Sequence, residues 1–85
     1  MAKVKISFMG DFADIGCPNM ELDAKDFYDL VIKVAEACPD LRKFLLDGTE
    51  LKTDYLAFCH GKVISDPTTT FKDGDVVTFY PPVTL

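Results

Sequence analysis

The chain has 85 residues, 48% of them hydrophobic, which suffices for one domain around one core and is too apolar for a disordered segment. Fourteen acidic residues against nine basic ones give a net charge of −5, and no Lys/Arg cluster is present to neutralise phosphates. Nucleic acid and anionic membrane surfaces are therefore excluded as partners.

Residues 3–9, KVKISFM, alternate in polarity, with Val4, Ile6 and Phe8 on one face and Lys3, Lys5 and Ser7 on the other. That pattern predicts a half-buried strand, and it contains no continuous apolar stretch of the kind a signal peptide or membrane span requires. The following GDFADIGCPN is dense in turn formers and reads as a long loop. MELD is a short second strand. Phe27, Leu30, Val31, Val34 and Cys38 then recur at helical spacing and predict an amphipathic helix over 26–38. Asp26 is placed to cap it, Asp29 adds negative charge in its first turn, and Pro39 closes it. DLRKFLL predicts a further short helical turn and DGTE a chain reversal. YLAFCHGKVI reads as a strand, a His60-Gly61 turn and a short return strand. After the loop SDPTTTFKDGD comes a last strand, VVTFY. The order strand–strand–helix–strand–strand–strand predicts an α+β fold: a mixed four- to five-stranded sheet with one main helix across one face. This is the β-grasp, or ubiquitin-like, arrangement, filling residues 1–85 as a single domain with a projecting tail at 81–85.

Catalytic chemistry is sparse. The single histidine, His60, sits in a hairpin turn, and Cys59 beside it is expected to point to the opposite face, so the two do not form a dyad. Cys17, Cys38 and Cys59 are an odd and widely spaced set without a Cys-x-x-Cys motif. They read as reduced thiols of a cytoplasmic protein rather than as a disulfide frame or a metal site. The acidic residues lie mostly in turns, where carboxylates cap backbone amides, and the isolated glycines make no phosphate loop. No catalytic residue, metal or cofactor is expected.

Two features exceed what a generic small domain needs. In strand 55–60, Tyr55, Ala57 and Cys59 share one parity while Leu56 and Phe58 share the other; in the last strand Val76, Thr78 and Tyr80 oppose Val77 and Phe79. One helix covers only one face of a sheet, so large apolar side chains must point outward. Leu56, Phe58, Thr78 and Tyr80 are the expected docking patch. The second feature is the tail. Pro81 and Pro82 cannot donate hydrogen bonds and hold φ near −65°, which makes Pro81, Pro82, Val83, Thr84 and Leu85 a stiff arm suited to a partner's groove.

FKDGDVVTFYPPVT resembles the C-terminal signature of the molybdopterin-synthase small subunit, a family that includes the thiamine-pathway sulfur carrier. VKISFMGDFADIG, DLRKFLLDGTEL and CHGKVI are similar to other parts of that family, the last to its Asn-Gly hairpin with histidine replacing asparagine. The resemblance implies a tail whose terminal carboxylate an activating enzyme adenylates and sulfur replaces, before the tail threads into a large synthase subunit. It also implies that the outer sheet face, here Leu56, Phe58 and Tyr80, docks those protein partners. Val83 and Thr84 match the family, but Leu85 stands where the first of two terminal glycines belongs. A branched side chain there is expected to clash in a channel shaped for glycine. The expectation is a non-catalytic docking subunit that has lost the carrier chemistry. The alternatives are a true sulfur carrier whose Gly-Gly lies beyond the chain given, and a ubiquitin-like protein modifier.

Overall fold

The computed structural model describes residues 1–15, 17–52 and 55–81. Strand β1 (Ala2–Phe8) follows its alternation: Ala2, Val4, Ile6 and Phe8 are buried while Lys3 and Lys5 face water. Strand β2 (Met20–Ala24) pairs antiparallel with it, Val4 opposite Leu22 and Ile6 opposite Met20, so the apolar residues of both strands fall on one face.

Helix α2 (Phe27–Ala37) buries the predicted stripe. Its start is fixed by two carboxylates: Asp26 Oδ1 accepts from the Asp29 amide at 2.8 Å, and Asp29 Oδ2 accepts from the Lys25 amide at 3.1 Å. The first satisfies an N–H that the first helical turn leaves without an internal partner, and the second ties the residue before the cap back onto that turn. Pro39 ends α2 as expected and also opens α3 (Pro39–Leu45), where its fixed φ suits the first helical position. The DGTE reversal joins two short strands, β3 (Leu46–Asp47) and β4 (Glu50–Leu51).

Strands β5 (Leu56–Cys59) and β6 (Lys62–Val63) form the predicted hairpin, and β7 (Val76–Tyr80) closes the main sheet. The strand order is β2-β1-β7-β5-β6, with β1 and β7 parallel and the other pairs antiparallel. Beneath this five-stranded sheet α2 and α3 cover one face, and the core between them includes Phe27, Leu30, Leu41, Val77 and Phe79. The fold is the β-grasp that the element order predicts.

Two expectations are corrected. The 10–19 segment is not loop throughout, because α1 (Asp11–Asp14) makes a helical turn within it. Gly10 starts that turn, its carbonyl accepting from Ala13 at 3.0 Å, and Phe12 anchors it by burying its ring 5.7 Å from that of Phe44. The cysteines are not three isolated thiols either. Cys17 and Cys38 are joined as a disulfide across a Cα–Cα distance of 6.2 Å, and Cys59 is the buried free thiol. Folding brings the loop after α1 onto the end of α2, a proximity that linear spacing does not reveal.

Candidate docking face

Register decides what the uncovered sheet face presents. Ala57 pairs with Phe79 and Cys59 with Val77, all four buried against the helices. Leu56 opposite Tyr80 and Phe58 opposite Thr78 consequently point outward, as their parity predicts. Phe58 also pairs with Val63 of β6, and Lys5 of β1 with Val76 of β7, which adds two valines to the same side.

This face is divided. On β1 and β2 it carries Lys3, Lys5, Glu21 and Asp23. On β7, β5 and β6 it carries Val76, Tyr80, Leu56, Phe58 and Val63, of which Leu56, Val76 and Val63 are 37%, 47% and 55% exposed. The border runs through a hydrogen bond between the hydroxyls of Ser7 and Thr78, 2.9 Å long. Within the apolar half Phe58 and Tyr80 meet edge to face, centroids 5.1 Å apart and ring planes at 84°. That geometry holds both rings in place without a partner, and rigid aromatic surface loses little entropy on binding.

The four predicted patch residues thus lie on one surface. Val63 and Val76 extend it: Val76 shares the parity of Thr78 and Tyr80, whereas Val63 lies on a two-residue strand too short to show a pattern. Of the tail, Pro81 follows Tyr80 at the edge of this face and packs beside Gly10. Pro82, Val83, Thr84 and Leu85 lie outside the described residues.

At the opposite end of β7 a second cluster departs from expectation. His60 and Gly61 both have positive φ, 55° and 74°, as a two-residue hairpin of this twist requires. The left-handed backbone at His60 breaks strand alternation, so His60 does not point away from Cys59. Its Nε2 lies 2.9 Å from Asp75 Oδ1, and ligand atoms of Cys59, His60 and Asp75 all fall within 4.8 Å of one another. The Lys72 amide, 2.8 Å from Asp75 Oδ2, holds that carboxyl below its ordinary range against a small opposing effect of burial, with His60 assisting. Burial, reinforced by Asp75, pushes the Cys59 thiol up.

The sequence matches no protein-family model and no curated protein. Solved structures do match the fold along nearly the whole chain. Small archaeal modifier protein 1 from Methanosarcina acetivorans superposes with a TM-score of 0.86 at 20% identity, over 100% of this chain and 97% of that one. The Haloferax volcanii protein of the same name gives 0.82 at 19%, over 99% of each chain. A chain from the complex of subunits 1 and 2 of the molybdopterin-converting factor of Helicobacter pylori gives 0.69 at 25%, over 98% and 97%. The chain therefore has the ubiquitin-like β-grasp fold, and its structural neighbours are small modifier proteins and a molybdopterin-converting factor.

Proposed function

We propose that this chain is a non-catalytic subunit that docks a larger protein through the apolar half of its open sheet face. The observation that carries the reading is the contiguous surface of Leu56, Phe58, Val63, Val76 and Tyr80 beside a polar half on the same sheet. A sheet that only needed water on this side would continue its Lys/Glu pattern across all five strands. Exposed aliphatic side chains around two half-buried aromatic rings, with charged residues on the adjoining strands, are instead the composition of a protein interface. The Helicobacter pylori match was solved as a complex of two different subunits, which supports a heterologous partner. A large synthase-like subunit or an activating enzyme-like protein has the size to receive both the face and the arm that leaves it after Tyr80.

The test is co-purification from the native cells. The parent protein is expected to retain a stoichiometric partner, and Phe58→Asp to lose it while keeping its circular dichroism spectrum and a cooperative melt, with a modest loss of stability from the Tyr80 contact. Asp23→Lys, a charge change on the polar half, is the control that should retain the partner. Equal recovery with Phe58→Asp and the parent would reject the patch.

A further inference from the structure

We propose that Cys59, His60 and Asp75 form a binding site for a single Zn2+ ion at the end of the sheet opposite Tyr80 and Pro81. The placement follows from register. Cys59 pairs with Val77 at the end of β5, and Asp75 immediately precedes β7, two residues before Val77, which brings thiol and carboxylate together at this end of the sheet. The positive φ of His60, the only such non-glycine value among the described residues, turns the imidazole in to join them. Among the described residues this is also the one group of three metal-ligating side chains whose donor atoms converge.

The donor set selects the ion. One thiolate, one imidazole and one carboxylate suit Zn2+ and are poor for Ca2+ or Mg2+, which need several oxygens. Tetrahedral bonds of about 2.0–2.3 Å place ligand atoms roughly 3.3–3.7 Å apart. The His60–Asp75 pair at 2.9 Å must open slightly, and no donor starts more than 4.8 Å from another. A hairpin turn can absorb such a shift. The Lys72 amide on Asp75 Oδ2 leaves Oδ1 aimed at His60, the role that an outer hydrogen bond plays around a metal ligand. His60 is 72% exposed at its side chain, so a fourth position is open to water or to a partner's ligand.

Binding forms a Zn–S bond, a Zn–N bond and a Zn–O bond; the Cys59 thiol proton passes to solvent, the imidazole binds neutral and no electrons are transferred. The ion would fasten the β5–β6 hairpin, the edge of the apolar face, to the start of β7.

The test uses tag-free protein with Cys17 and Cys38 oxidised, titrated with Co2+ and then Zn2+. One equivalent of Co2+ is expected to produce thiolate-to-metal charge-transfer absorption and the intense d–d bands of a tetrahedral ion, both displaced by Zn2+ and not by Mg2+. Cys59→Ala should abolish the charge-transfer band. His60→Asn, which keeps a residue tolerant of positive φ, should weaken binding by at least about tenfold with the metal-free melting temperature unchanged. Absence of the bands in the parent would overturn the site, as would their persistence in Cys59→Ala or equal affinity in His60→Asn.

Discussion

A methyl group added to Gly10 would lie 3.1 Å from Cγ and 3.2 Å from Cδ of Pro81. Gly10 has φ 60° and ψ −138°, a region essentially reserved to glycine, and the Met9 amide beside it donates to the Phe79 carbonyl at 3.0 Å. The residue that starts α1 thus also packs against Pro81, the residue that follows β7.

Gly10→Ala is accordingly expected to destabilise the fold by about 1–3 kcal/mol and to displace Pro81. Gly48→Ala is the comparison, since Gly48 also has positive φ, 65°, but nothing within 4 Å of an added carbon. Chemical denaturation of both variants, with NMR shifts of Tyr80 and Pro81, separates backbone strain from the contact. Equal losses in the two, without shifts at Pro81, would show that Gly10 does not position Pro81.

Asp29 sets an acid limit on α2. Partial burial pushes its carboxyl up, but the Lys25 amide and the Lys33 ammonium, 3.2 Å away, outweigh it and hold the group below its ordinary 3.8. A folded-state value below the unfolded one stabilises the fold above about pH 3.8, and that contribution is lost as pH falls through the lower folded value. Asp29→Asn should therefore cost about 0.3–1 kcal/mol at neutral pH, the gap closing as the solution is acidified past 3.8. A gap that stays constant across the pH series would mean that the charge on Asp29 is not what stabilises the helix start.

How much of this was legible in the sequence depended on whether a signal was local. The stripe from Phe27 to Cys38 and the cap at Asp26 are properties of neighbouring residues, and both elements formed where they were predicted. Parity likewise put Leu56, Phe58, Thr78 and Tyr80 on the open face, because extended strands leave no other choice. What failed depended on the third dimension or on a broken rule. Cys17 and Cys38 meet only because α2 returns the chain to the loop after α1. Cys59 and His60 were separated by an alternation that holds for extended backbone, which His60 does not adopt. Phe12 looked like a loop residue because one buried ring carries no period.

The two phenylalanines on either side of the sheet should behave oppositely. Phe79 is fully buried, its ring 6.0 Å from Phe8, 6.5 Å from Phe27 and 5.9 Å from Tyr55, so it joins β1, α2 and the segment before β5. Phe79→Ala opens a cavity among these rings and is expected to cost about 3–5 kcal/mol, read as a lower denaturation midpoint. Phe58 is half-buried on the other face, where water can occupy the space its ring leaves. Phe58→Ala should cost well under half as much and spend its effect on partner binding instead. Comparable stability losses in the two variants would make Phe58 a packing residue and remove the basis for reading its face as an interface.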